Sequence, residues 1–238
     1  TLRRSLARCK GAQVTVSPQH VAAMLAHPHD VAAALTKLRA EGKFAHVGVS
    51  NHAPSQVAAL QAHLDFPIAT QQPEFSCWAT SPLFDGTLDQ CMETGLGVLA
   101  WSPLAGGRLG LSAEEAARGA DGARLSALIA KLDEIAVREG VTREAVAVAF
   151  VLAHPAKIVP IIGSQQPARI ARAADALKVR LSRADWYLSL IHLRRRRRRG
   201  LWKSSWSSDP PTAEPFARLI VPPTPTPLLL ILTSLYPP

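Results

Sequence analysis

Residues 97–102 read Gly-Val-Leu-Ala-Trp-Ser, GVLAWS. Four apolar side chains in succession are followed by a serine and then Pro103, so the run is short, hydrophobic on both faces and sharply ended. A strand exposed on one face alternates apolar and polar residues, whereas a strand covered on both faces need not. This run therefore predicts a strand of a parallel sheet. Working outward, Leu88, Cys91 and Met92 mark a short helix stopped by Gly95 just before it, and Ser112 with Glu115 has the spacing of a capping box just after it. The same alternation repeats. Residues 45–50 read as a strand between a helical stripe of Val31, Ala34, Leu35 and Leu38, closed by Gly42, and a second stripe of Val57, Leu60 and Leu64 opened by Pro54. Residues 68–76 read as a strand interrupted at Pro73. Leu125, Leu128, Ile129, Leu132 and Ile135 form a helical stripe ending at Gly140, and Thr142 caps a helix apolar nearly all round, which predicts its burial. Residues 158–162 form another apolar strand, Pro167 opens a helix carrying Ile170, Ala173, Ala174 and Leu177, and Ser182 with Asp185 starts a last one.

Strand and helix alternate four times, which predicts an α/β fold with parallel strands and helices packed on their faces. Two architectures satisfy that order: an open doubly wound sheet, or part of a (β/α)8 barrel. No G-x-G-x-x-G follows any strand, which counts against a dinucleotide site of the doubly wound kind. Polar residues gather at the strand ends: Ser50 and Asn51, Gln71 and Gln72, Trp101 and Ser102, Gly163 and Ser164. In a parallel barrel those positions share the rim where chemistry sits. Taken singly, each is equally a turn former or cap.

Composition sets further bounds. Of 238 residues 47% are hydrophobic and 19% charged, enough for a core and incompatible with a wholly disordered chain. No apolar run approaches the about 20 residues of a membrane-spanning helix, and the basic first ten residues lack the apolar block of a secretory signal. Three cysteines, Cys9, Cys77 and Cys91, without C-x-x-C spacing fit a reducing, cytoplasmic compartment and no metal site. The net charge of +9 is uneven. Residues 191–238 hold eight Lys and Arg against two Asp and Glu, nine of the nineteen prolines, and a run of six arginines at 194–199. This segment reads as a disordered, basic, Pro-rich tail. With no aromatic interleaved among the arginines and no nucleic-acid-binding signature, the run argues against nucleic acid as the main partner.

Five stretches in order resemble the aldo-keto reductase family: residues 42–51 (GKFAHVGVSN), 69–74 (ATQQPE), 85–89 (DGTLD), 100–109 (AWSPLAGGRL) and 160–164 (PIIGS) followed by Arg169. The resemblance covers residues 28–190, with a divergent segment over 1–27. It implies a partial (β/α)8 barrel of about four to five βα units from the family's C-terminal half, and an oxidoreductase that reduces a small carbonyl substrate with NADP(H). It further implies that Ser50, Asn51 and Gln72 hold the nicotinamide carboxamide and that Trp101 lies against the nicotinamide ring. By the same resemblance Ser102, Pro103, Leu104, Gly106 and Arg108 lead through the pyrophosphate site, and Ile162, Gly163, Ser164 and Arg169 form the adenosine-phosphate end.

The chain departs from that pattern in two places. Gln166 stands where a basic residue usually pairs with the 2′-phosphate, so NAD(H) is admitted beside NADP(H). The family's catalytic Asp, Tyr and Lys come from barrel units upstream of the matched region, and the two tyrosines here, Tyr187 and Tyr236, lie at the far end. The family's histidine aligns with His20, with His27 and His29 as neighbours, although residues 14–19 (VTVSPQ) do not read as the apolar strand that delivers it. These departures point to a truncated or mis-assembled product with little or no turnover. A half barrel also leaves two unpaired sheet edges, which favours self-association. Two other readings remain: a non-catalytic nucleotide binder, and a basic nucleic-acid-associated protein acting through residues 194–199.

Overall fold

The computed structural model describes residues 26–187, together with the backbone of one strand at 14–19. The described residues form two compact units, one from those up to 103 with 154–161, the other from 104–153 with 162–187.

The first unit is built on a five-stranded sheet: β1 Val14–Gln19, β2 Phe44–Ser50, β3 Ile68–Gln72, β4 Gly97–Ala100 and β5 Val159–Pro160. Every pairing is parallel, and the strands lie side by side in chain order, β1-β2-β3-β4-β5. A doubly wound sheet reverses its strand order at a switch point, whereas a barrel winds in one direction throughout. The unreversed order therefore decides between the two architectures in favour of the barrel type. Helices α1 Pro28–Ala40, α2 Pro54–Gln61 and α3 Thr87–Thr94 connect the first strands. Pro28 and Pro54 stand in the first turns of α1 and α2, where their missing N–H costs nothing. Gly95 ends α3 in the left-handed conformation.

The register fixes what each face carries. Val49 pairs with Gln71 and Gln71 with Val98, and all three are buried, as are Val47 and Ala100. On the opposite face Gly48 pairs with Thr70 and Ser50 with Gln72. From Val47 to Ser50 β2 is buried without interruption, as expected of a strand covered on both sides.

The structure corrects the sequence reading in several places. Residues 14–19 do form a strand, β1, in parallel register with β2 from Val14 against Phe44 to Gln19 against Val49. Pro18 gives up its N–H there, which an edge strand tolerates. The strand expected over residues 158–162 shrinks to Val159–Pro160, because Pro160 cannot donate to a ladder. In β3, Pro73 ends the regular pairing at Gln72, and a single bridge from Glu74 to Trp101 follows it. Ala34 and Met92 were expected on buried stripes and are exposed. His20 and residues 188–238, with the arginine run, lie outside the described residues.

The second unit holds α4 Ala113–Ala117, α5 Gly122–Glu139, α6 Arg143–Leu152 and α7 Pro167–Ala173. Ser112 and Glu115 close the expected capping box at α4, and Thr142 accepts from Ala145 N at 3.3 Å at the start of α6. Residues 145–151 of α6 are all buried, as its all-round apolar sequence requires. Arg143 anchors its first turn. The guanidinium donates to both Asp133 carboxylate oxygens at 2.6 and 2.8 Å and to the carbonyls of Leu109 and Leu111 at 3.2 and 2.6 Å. The stripe expected after Pro167 shifts phase. The helix tightens to a 3-10 turn at Ala174–Lys178, so Ala176 turns inward and Leu177 outward at 70% exposure. Trp186 stacks on Phe150 at 5.0 Å and donates its indole N–H to the Phe150 carbonyl at 3.1 Å.

Candidate active site

The site in the first unit is made by the ends of β2, β3 and β4. These ends are stitched together beyond the regular ladder. Asn51 N donates to the Gln72 carbonyl at 3.2 Å, Trp101 N to the Pro73 carbonyl at 3.1 Å, and Phe75 N to the Trp101 carbonyl at 3.3 Å. Side chains reinforce the stitching. Ser50 Oγ donates to the Gln72 carbonyl at 3.0 Å, Asn51 Nδ2 donates to Ser50 Oγ at 3.3 Å, and Trp101 Nε1 donates to Asn51 Oδ1 at 2.9 Å. The structure thus brings Ser50, Asn51, Gln72 and Trp101 onto one rim.

The backbone there is held in sparsely populated conformations. Asn51 has φ 54° and Ser102 φ 56°. Asparagine tolerates the left-handed region through its short polar side chain, whereas serine does so at a cost of about 1–3 kcal/mol. Two such residues, one after β2 and one after β4 with β3 between them, mark a place where geometry takes precedence over local stability.

Gln71 and His52 were not expected to matter individually, yet they support the rim. Gln71, 1% exposed, spends its amide on two backbone groups: Nε2 donates to the His52 carbonyl at 2.7 Å and Oε1 accepts from Gln72 N at 3.1 Å. His52 Nδ1 lies 3.0 Å from the Ser50 carbonyl. Together they pin the turn that follows β2. The paired glutamines therefore divide their work, Gln71 toward the protein and Gln72 toward the opposite, half-buried face. The sequence signal for this was the strand period of two, which places consecutive residues on opposite faces. A cavity of about 280 Å³ adjoins Asn51, and its wall includes His52, Glu74, Ser81 and Asp85.

Leu104, Gly106, Arg108, Ile162, Gly163, Ser164 and Arg169 belong to the second unit. There the loop after Leu104 (φ −102°, ψ 20°) runs through three left-handed residues, Ala105 at φ 53°, Gly106 at 64° and Gly107 at 89°. Gly107 N donates to the Leu104 carbonyl at 3.0 Å, which closes the loop as a tight turn with residue 107 left-handed. Gly107 tolerates this because it has no Cβ, and a Cβ there would meet nothing within 4 Å, so the demand is conformational and not steric. Ser164 Oγ accepts from Gln166 N at 3.2 Å, and Gln166 occupies the N-cap of α7. Arg169 is exposed on that helix. Ser102 and Pro103 end the first unit.

Three titratable groups of the first unit are shifted by burial. Half-buried His154 lies edge-on to Phe75 at 6.2 Å, and burial pushes its pKa below the ordinary histidine value. The Cys77 thiol is pushed up to about 12 and that of Cys91 to about 11 by burial, so neither is a nucleophile near neutrality.

Known proteins share this arrangement of sequence. The aldo/keto reductase family model matches residues 1–188. A 6-dehydroglucose reductase of Novosphingobium aromaticivorans is 45% identical over 190 residues, 80% of this chain and 60% of that protein. A second 6-dehydroglucose reductase, from Agrobacterium fabrum, is 40% identical over 154 residues, 65% of this chain and 48% of the other. The chain thus spans about half to three fifths of these relatives' length. Among solved structures, a thermostable aldo-keto reductase bound to the inhibitor epalrestat superimposes with a TM-score of 0.66 at 23% identity, over 80% of this chain and 64% of that one. The glycerol dehydrogenase of Gluconobacter oxydans does so at 0.69 and 19%, over 87% and 66%. The two solved folds agree with the unreversed strand order. With the family model running through all three strand ends of the rim, the chain belongs to the aldo/keto reductase family.

Proposed function

We propose that this chain binds a nicotinamide dinucleotide through the rim of Ser50, Asn51, Gln72 and Trp101, and carries the cofactor-holding side of carbonyl reduction. The supporting observation is the hydrogen-bonded chain from Trp101 through Asn51 and Ser50 to the Gln72 carbonyl, which sets a planar amide beside an indole. An amide side chain complements a carboxamide, and an indole face suits a flat aromatic ring. The dinucleotide, when bound, supplies the hydride for reduction of the carbonyl carbon. The chain's own residues bind and orient. Asn51 and Gln72 take the carboxamide and Trp101 covers the ring. The family resemblance assigns the pyrophosphate to the loop of Leu104, Gly106 and Arg108, and the adenosine phosphate to Ile162, Gly163, Ser164 and Arg169. The cofactor is NADP(H), and NAD(H) is admitted beside it because Gln166 brings no charge for a 2′-phosphate.

The relatives named 6-dehydroglucose reductase make that compound the first substrate to test. His20 is the proposed substrate-orienting group. The family's general acid is a tyrosine, a role that neither Tyr187 nor Tyr236 fills by position, and general acid catalysis contributes about 10² to 10⁴-fold. Turnover by these 238 residues alone is accordingly slow.

The test is a titration of the purified chain with NADPH and with NADH, read by quenching of tryptophan fluorescence. Nicotinamide oxidation is then followed with 6-dehydroglucose present. Saturable quenching that Asn51→Ala weakens supports the reading. No binding of either nucleotide overturns it. Rapid carbonyl-dependent oxidation would overturn the slow-turnover part alone.

A further inference from the structure

Resting on that reading of the rim, we infer that Trp101 is a positioning residue whose indole N–H fixes which way round the Asn51 amide stands toward the nicotinamide carboxamide. The inference comes from the polarity of the hydrogen-bond chain. Trp101 Nε1 is 2.9 Å from Asn51 Oδ1, and an indole N–H can only donate. The amide atom facing it must be the oxygen. At the far end Ser50 Oγ lies 3.0 Å from the Gln72 backbone oxygen, which can only accept, so the single hydroxyl hydrogen goes there. Ser50 Oγ is then left to accept, and Asn51 Nδ2 donates to it at 3.3 Å. A donor-only group at one end and an acceptor-only group at the other admit one assignment of every atom between them.

That assignment has a chemical consequence. The second N–H of Asn51 Nδ2 and the second lone pair of Oδ1 lie outside the chain of bonds. They offer a donor and an acceptor to the oxygen and the N–H of a primary carboxamide. Turning the amide over would exchange donor and acceptor and set an N–H against the indole N–H. Phenylalanine at residue 101 would still cover the ring but would leave the amide able to turn. Stacking and orientation are therefore separable roles of one side chain.

The test is a double-mutant cycle on dissociation constants for NADPH, using wild type, Trp101→Phe, Asn51→Ala and the double variant, with chemical denaturation confirming that each is folded. Acting through Asn51, Trp101→Phe weakens binding about five- to tenfold, the order of one neutral hydrogen bond. In the Asn51→Ala background the same change has little further effect. Equal, additive losses in both backgrounds would show that Trp101 acts by stacking alone and would overturn the inference. A ligand-free measurement keeps it separate from the cofactor reading: hydrogen exchange of the Trp101 indole N–H by NMR. The exchange is slow in wild type and faster in Asn51→Ala. An exchange rate indifferent to Asn51 overturns the inference whatever binds. A slow, Asn51-dependent exchange without NADPH binding leaves the orientation standing and overturns only the cofactor reading.

Discussion

Thr70 stands so close to Gly48 that its hydroxyl oxygen occupies the place a Cβ on residue 48 would take, and that oxygen is buried without a hydrogen-bond partner among the described residues. The two residues face each other across β2 and β3. Residue 48 is glycine because a neighbouring strand fills its side-chain volume. Gly48→Ala is expected to cost about 1–3 kcal/mol by overpacking, and Thr70→Ala in the same chain to recover part of that loss. Thr70→Ala alone removes an unsatisfied buried hydroxyl and leaves stability unchanged or slightly raised. Urea denaturation of the three variants checks this, and a neutral Gly48→Ala would contradict it.

Arg143 joins α6 to α5 through Asp133 and to the loop before α4 through two carbonyls. Lysine keeps the charge but not the planar fork, so Arg143→Lys is expected to lose about 1–3 kcal/mol, close to the loss from Arg143→Ala. If lysine restored wild-type stability, charge alone would account for the contact. Denaturant midpoints of the two variants distinguish the cases.

Asp185 sets an acid limit. Burial alone would raise its pKa, but hydrogen bonds from Arg138 at 3.0 and 3.3 Å and from Ser182 at 2.7 Å hold it below the ordinary value of 3.8. A carboxyl with a depressed folded pKa binds fewer protons folded than unfolded. Its stabilisation is present in full above the unfolded pKa and is lost as pH falls through the folded one. Wild type should therefore lose stability on acidification through the carboxylate range, and Asp185→Asn should be less stable at neutral pH with a flatter acid dependence. Parallel pH curves for the two proteins would contradict this.

Cys77 and Cys91 should resist alkylation at mildly alkaline pH, because thiols pushed to about 12 and about 11 are almost wholly protonated there. Peptide-resolved mass spectrometry after iodoacetamide treatment should find both unmodified until denaturant is added. Labelling of either in the folded protein would show that the burial is transient.

Much of the architecture was legible in the residues. Apolar runs ended by Ser50, Gln72 and Ser102 identify parallel strands, and Ser112, Thr142 and Pro167 mark helix starts by chemistry that acts within a few residues. What escaped depends on partners distant in sequence. Residues 14–19 are not the apolar run expected of a buried barrel strand, and β2 supplies the pairing that makes them one. Leu177 fits a helical stripe and is exposed because the helix tightens by about 0.6 residue per turn after Ala173. At the site, Asn51, Gln72 and Trp101 were legible as strand-end polar groups. The support of Gln71 for the His52 carbonyl, and the direction of the bond from Trp101 to Asn51, needed coordinates.

Hydrogen–deuterium exchange of the chain with and without saturating NADPH, resolved to peptides, tests the nucleotide rim most directly. Protection is expected in the peptides holding Asn51, Gln72 and Trp101, and it should vanish in Asn51→Ala. Unchanged exchange at all three strand ends, or protection confined to other segments, would contradict the account.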